Sequence, residues 1–100
     1  MESVSTPGIN GSVIYADDYL NKLSGEHIEY EARRRLEAGS KELVVNFSKT
    51  EIVNSIGISI LLGIIDHAAG KGASVVFSDV KDETVELFDM LGVTKHVTLV

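Results

Sequence analysis

The segment that decides the fold runs from Leu43 to Ile65 and reads LVVNFSKTEIVNSIGISILLGII. Its first five residues, to Phe47, form a short apolar run rich in β-branched side chains, which is typical of a buried strand. Its last part is apolar over more than two turns and predicts a buried helix that continues to about Ala69. Asn54 and Ser55 stand where the connection becomes this helix. Both residue types cap helices well, because their side-chain oxygens accept hydrogen bonds from the free N–H groups of the first turn.

The position of Ser55 also favours a regulatory role. A hydroxyl at the start of a helix faces the positive end of the helix dipole, and an added phosphate is well tolerated there. Phosphorylation would add about -1.5 to -2 charge. The helix N-terminus would accept this charge locally, so the fold should survive. A partner packed on the same spot would bury an ion without a counter-charge, which costs several kcal/mol. Phosphorylation of Ser55 would therefore weaken such a complex strongly.

The rest of the chain predicts strands and helices in alternation. The predicted elements are a strand Ser12–Ala16, a helix Ser24–Ala38, the strand Leu43–Phe47, the central helix, a strand Ala73–Phe77, a helix Val80–Leu91 and a strand His96–Val100. Residues 1–11 are either a frayed tail or a weak edge strand. This order predicts a single α/β domain over residues 1–100, with a mixed, mostly parallel sheet of four to five strands packed against α-helices.

Local signals mark the ends of the two outer helices. Ser24 is the predicted N-cap of the first one, with Leu23 and Ile28 at the spacing of a hydrophobic staple. Ile28, Ala32 and Leu36 form one apolar stripe at spacing four. Gly39 fits a C-terminal cap, and Asp79 is the predicted cap of the last helix.

Glycines mark the remaining special positions. Gly92 is predicted to stop the last helix. Gly57 and Gly63, within the central helix, are most simply read as places where that helix approaches the sheet closely.

Composition excludes several classes of protein. The formal net charge is -6 and the pI is about 4.9, which argues against nucleic acid and anionic membrane as partners. There is no cysteine, and three distant histidines offer no metal-type spacing, so no metal and no cofactor is expected. We find no signal peptide and no apolar run long enough to span a bilayer, so a soluble cytoplasmic protein is expected.

Three pieces of the sequence follow one another in a characteristic order. The first is a strand ending in Phe47-Ser48, a short link, and then Ile52 to Gly57. The others are Ala69–Ala73, leading into a strand, and Phe88–Val93, closing a helix. Together they resemble the STAS domain family, whose best-known members are bacterial anti-sigma factor antagonists, and the resemblance spans about residues 13–100.

The resemblance implies a phosphorylation switch at Ser55. The family's Asp before this serine is Asn54 here, its second hydroxyl residue is Ile56, and its Gly is kept as Gly57. The implied function is to bind an anti-sigma factor that is also a serine kinase and release the sigma factor, until Ser55 is phosphorylated. A serine phosphatase is a further possible partner, and a monomer or weak dimer is expected. The implied partner-binding residues are Asp18, Asn54, Ser55, Ile56, Gly57 and Ser59.

Two other readings stay open. A STAS-like domain can also be an interaction or nucleotide-binding subunit of another signalling or membrane-transport assembly. An enzyme with Ser55 as nucleophile is disfavoured, because the sequence around Ser55 misses the first glycine of the G-x-S-x-G elbow. We therefore expect a binding protein and no catalytic residue.

Overall fold

Strands and helices alternate along the chain in the computed structural model, which describes residues 13–100. The strands are β1 (Val13–Tyr15), β2 (Tyr19–Leu20), β3 (Glu42–Asn46), β4 (Ile52–Val53), β5 (Ser74–Ser78) and β6 (Thr98–Leu99). The helices are α1 (Lys22–Glu37), α2 (Ser55–Gly70) and α3 (Asp82–Met90), and a short 3-10 helix, Val93–His96, follows α3. The expectation for residues 1–11 lies outside the described residues.

The main sheet has four strands in the order β1-β3-β5-β6, and every pairing among the described strands is parallel. Its register aligns Val13 with Val44, Val44 with Val76, and Val76 with Thr98. Because the strand order advances in one direction and such crossovers are nearly always right-handed, the three helices lie on one face of the sheet. The α/β prediction with a mostly parallel sheet of four strands is confirmed.

One face of the sheet and the inner faces of the helices form the core. Leu43 and Val45 of β3 are buried, as is the predicted stripe of α1 formed by Ile28, Ala32 and Leu36. A cluster of three rings closes the core: Phe47, Phe77 and Phe88 meet edge to face, with centroids 4.8 to 5.7 Å apart. The third ring comes from α3, so the cluster fixes α3 against β3 and β5.

The predicted starts of the two outer helices are wrong. Asn21, not Ser24, is the N-cap of α1, and the side chains and main-chain N–H groups of these two residues bond reciprocally at 3.0 Å. This capping box satisfies two free donors at once. Leu23 then lies inside α1 and is exposed, so the expected hydrophobic staple with Ile28 does not form. The last helix begins after Lys81, which is its N-cap. Asp79 has a left-handed φ of 56° and does not have the extended backbone of a cap.

Three strands also differ from prediction. Tyr19–Leu20 and Ile52–Val53, both expected in connections, are strands β2 and β4, which pair in parallel. The last strand is only Thr98–Leu99, since Val93–His96 forms the 3-10 helix before it. Gly39 and Gly92 have positive φ of 100° and 80° and end α1 and α3 as predicted.

Candidate functional site

The carboxyl edge of the sheet brings three segments together: residues 17–20 between β1 and α1, the β3–β4 loop at 47–51, and the start of α2. The main-chain carbonyl of Asp18 accepts hydrogen bonds from the N–H groups of Glu51 and Ile52, at 2.7 and 3.0 Å. The hydroxyl of the buried Thr50 donates to the carbonyl of Asp17 at 2.8 Å. These bonds hold the β3–β4 loop against the β1–β2 connection.

The small β2–β4 sheet then carries the chain into α2. Its register places Tyr19 beside Ile52 and Leu20 beside Val53. The N–H of Asn54 donates to the carbonyl of Leu20 at 2.9 Å, which extends this pairing to the residue that begins the helix. The position of the α2 start is therefore set by β2, an element that the sequence did not reveal.

Asn54 is the N-cap of α2. Its backbone is extended, with φ -109° and ψ 168°, and its side-chain Oδ1 accepts a hydrogen bond from the N–H of Gly57 at 2.9 Å. Ser55 is therefore the first residue of the helix. It is not the cap, although the sequence alone had allowed either Asn54 or Ser55 to be the cap. Ser55 is exposed, and its hydroxyl makes no hydrogen bond with any other residue in 13–100.

Gly57 is buried where α2 crosses β2. A Cβ at this position would lie 2.7 Å from the carbonyl oxygen of Leu20 and 2.8 Å from its Cγ. The predicted close approach is thus present at Gly57, with β2 as the neighbour. At Gly63 the same prediction is wrong, since a Cβ there would meet nothing within 4 Å.

Five of the six predicted partner-binding residues reach the surface at this edge. Asp18, Ser55, Ile56 and Ser59 are exposed and Asn54 is half-buried, whereas Gly57 is buried. Gly57 therefore shapes the backbone beneath the surface and offers little area of its own to a partner.

An apolar patch surrounds the start of α2. It consists of Tyr19, Ile52 and Ile56, whose exposed fractions are 41%, 61% and 50%. The phenol oxygen of Tyr19 lies 3.4 Å from the Nδ2 of Asn54, which places the ring beside the helix cap. From the sequence, segments 17–20 and 48–53 were expected to join the helix start in one contact face, but Tyr19 and Ile52 were not named individually as partner-binding residues. The pairing of β2 with β4, which brings these two side chains together, could not be seen in the sequence.

The described chain offers little for metal or membrane chemistry. Within residues 13–100, no three His, Asp or Glu side chains are grouped so that they could hold a metal ion. No helix in that range has the length and apolar character needed to cross a membrane. The arrangement suits contact with another macromolecule, since it joins an exposed hydroxyl, a helix start and an apolar surface.

Comparison with known proteins identifies the family. The sequence model of the STAS domain matches residues 1–100. The chain belongs to the STAS domain family. A solved structure, described as the NMR structure of the protein TM1081, superposes with a TM-score of 0.77 and 11% sequence identity, over 88% of this chain and 71% of that one. At this identity the likeness shows the shared fold alone. No curated protein matches the sequence significantly.

The candidate site of this STAS domain lies where the β3–β4 loop leads through β4 into α2. A STAS domain is in general a non-enzymatic signalling module, and here the strand–loop–helix unit from β3 to α2 presents an exposed serine. Asn54 provides a neutral cap at the position where the family motif given by the resemblance has an aspartate.

Proposed function

We propose that this STAS domain is an anti-sigma factor antagonist that binds an anti-sigma factor with serine kinase activity and is switched off by phosphorylation of Ser55. The observation that carries the proposal is the state of Ser55. It is the exposed first residue of α2, and its hydroxyl is committed to no other residue in 13–100. A kinase can reach such a hydroxyl without unfolding the helix.

The helix start would stabilise the phosphorylated form of the domain. The N–H groups of the first turn and the helix dipole both favour an anion at this position. Because Asn54 supplies the cap through its own side chain, modification of Ser55 would leave the capping bond to Gly57 in place. The phosphorylated domain should therefore stay folded.

The surrounding surface makes the same phosphate unfavourable in a complex. The apolar patch of Tyr19, Ile52 and Ile56 is the area that a partner would cover. A phosphate within that contact would lose its water without gaining a counter-charge, which costs several kcal/mol. Each ~1.4 kcal/mol is a tenfold change in affinity, so one phosphate is sufficient to release the partner.

A second candidate is a STAS interaction subunit of another signalling or membrane-transport assembly. The residue that favours it is Asn54, because the neutral amide leaves no carboxylate directly before Ser55. Such a subunit would use the same patch without modification of Ser55. A cytoplasmic location and a monomeric or weakly dimeric state belong to both candidates.

The test is phosphorylation by the partner itself. The domain is first used to recover its partner from the native cell. A recovered partner that is an ATPase of the histidine-kinase type is then incubated with the domain and ATP. One phosphate on Ser55, located by mass spectrometry, supports the proposal, and Ser48→Ala should be modified as the wild type is. A phosphate on Ser48 or Ser59 instead contradicts it. Absence of any phosphate, also in Asn54→Asp, favours the second candidate.

A further inference from the structure

Lys81 connects the start of α3 to the β3–β4 loop, far away in sequence. Its Nζ donates hydrogen bonds to the main-chain carbonyls of Ser48 and Thr50, at 3.2 and 3.0 Å. The same Nζ lies 3.0 Å from Oε2 of Glu51. A lysine ammonium has three donors, and all three therefore have a partner on one short loop.

The residue is poorly suited to the helix that it begins. Lys81 is the N-cap of α3, yet its side chain makes no capping hydrogen bond. Ser, Thr, Asp and Asn are preferred there because they cap the first turn, and a positive charge near a helix N-terminus opposes the dipole. Residue types that are unfavourable for their own helix are expected at functional positions. The bonds from Lys81 to the loop offset its unfavourable effect at the start of α3.

The loop that Lys81 holds leads directly into the candidate site. Its other side is fixed by Thr50, whose hydroxyl binds the carbonyl of Asp17, and by the N–H of Glu51, which binds that of Asp18. The chain then runs through Ile52, a residue of the apolar patch, to the cap of α2. The conformation of the loop thus sets where Ile52 and the start of α2 stand.

We propose that Lys81 is a positioning residue for the partner-binding surface. Its ammonium holds the β3–β4 loop between α3 and the β1–β2 connection, and so fixes Ile52 beside the start of α2. The effect of Lys81 on binding rests on the proposed function, whereas its effect on the loop does not. The partner does not need to touch Lys81 itself.

The decisive variant is Lys81→Asn, because asparagine removes the ammonium and can still cap α3. Its melting temperature should stay within about 4 °C of the wild type, since a cap replaces the lost bonds. Hydrogen exchange of the Glu51 and Ile52 amides should accelerate by roughly 5- to 20-fold, while amides of α1 stay unchanged. Affinity for the anti-sigma partner should fall about 3- to 10-fold, because the loop must be ordered on binding.

Three controls separate the possible causes. Lys81→Arg keeps the charge and donors and should restore most of the loop protection. Glu51→Gln removes only the partly exposed ion pair and should change little. Lys95→Asn removes a lysine whose side chain has no ion pair or hydrogen bond with residues 13–100, and it should behave as the wild type.

Hydrogen exchange and affinity test separate parts of the proposal. Unchanged exchange of Glu51 and Ile52 in Lys81→Asn would overturn the positioning role, whether or not a partner binds. Faster exchange with unchanged affinity would overturn its connection to the binding surface. If the wild-type protein does not bind an anti-sigma partner, the proposed function fails, and the exchange measurement still decides whether Lys81 positions the loop.

Discussion

Gly57 lies against the main chain of Leu20. A Cβ added at Gly57 would stand 2.7 Å from the Leu20 carbonyl oxygen, 2.8 Å from its Cγ and 2.9 Å from its carbonyl carbon. Two of these three atoms belong to the backbone, which cannot move away as a flexible side chain can. The same carbonyl accepts the N–H of Asn54, so the approach of α2 to β2 is fixed on both sides of Ser55.

Gly57→Ala should therefore be destabilising. The new methyl group would force α2 away from β2, and overpacking of this kind typically costs about 1–3 kcal/mol. Urea unfolding would measure the change. The variant should also disturb the site, because the bond between Asn54 and Leu20 would stretch, and amide shifts of residues 52–56 should move.

Gly63→Ala is the matched control in the same helix. A Cβ there meets nothing within 4 Å, and alanine in a helix interior is better than glycine by roughly 0.5–1 kcal/mol. This variant should be more stable than the wild type. A loss of stability in Gly63→Ala, or none in Gly57→Ala, would show that the packing of α2 is described wrongly.

Asn54→Ala should destabilise α2 through its cap. The bond from the Gly57 N–H to Oδ1 is lost, and removal of a cap of this kind costs typically about 1 kcal/mol. Ser55→Ala should change the free energy of unfolding by less than about 0.5 kcal/mol, because this exposed hydroxyl caps nothing. Equal losses in the two variants would assign a capping role to Ser55 as well.

Ser55→Asp should separate stability from binding. A carboxylate at the first position of a helix interacts favourably with the dipole, by about 0.3–1 kcal/mol, so unfolding should require more denaturant. Affinity for the partner should nevertheless fall at least about tenfold, since the charge enters the apolar contact. Ser55→Ala should bind as the wild type does. Calorimetric titrations that give the three proteins the same affinity would remove Ser55 from the interface.

Glu31 should make a small contribution to the pH dependence of stability, because solvent screens its ion pairs. The hydrogen bond from Arg35, at 2.7 Å, holds the pKa of Glu31 below its usual value, assisted by the charges of Arg35, Arg34 and His27, while burial acts in the opposite direction. Because the pKa is lowered on folding, this stabilisation is complete above the unfolded pKa of about 4.3 and is lost as the pH falls through the folded pKa.

Glu31→Gln should accordingly be less stable than the wild type at pH 7, and the difference should shrink as the pH falls below about 4. Thermal melting at a series of pH values would measure this. A difference that is the same at pH 7 and at pH 3 would mean that the carboxylate of Glu31 is not the origin of the effect.

Long periodic elements of this STAS domain could be predicted from the sequence. The buried stripe of α1, formed by Ile28, Ala32 and Leu36, follows from spacing alone. The strand at Leu43 and the helix that begins at Ser55 follow from an apolar run and a cap. These signals are local, so they do not depend on where the rest of the chain lies.

Features that depend on tertiary contacts could not be predicted in the same way. β2 is only two residues long and exists because β4 pairs with it, so it leaves no periodic pattern. Ser24 and Asn21 are both good caps, and only their reciprocal bonding identifies Asn21 as the first. Gly57 and Gly63 look alike in the sequence, and the main chain of Leu20 alone distinguishes them.

The most direct test of the account compares two forms of one protein. The affinity of the anti-sigma partner is measured by calorimetry for the unmodified domain and for the domain carrying a single phosphate on Ser55, with circular dichroism to verify that both are folded. We predict the same fold and an affinity at least about tenfold weaker for the phosphorylated form. Equal affinities for the two folded forms would contradict the switch at Ser55.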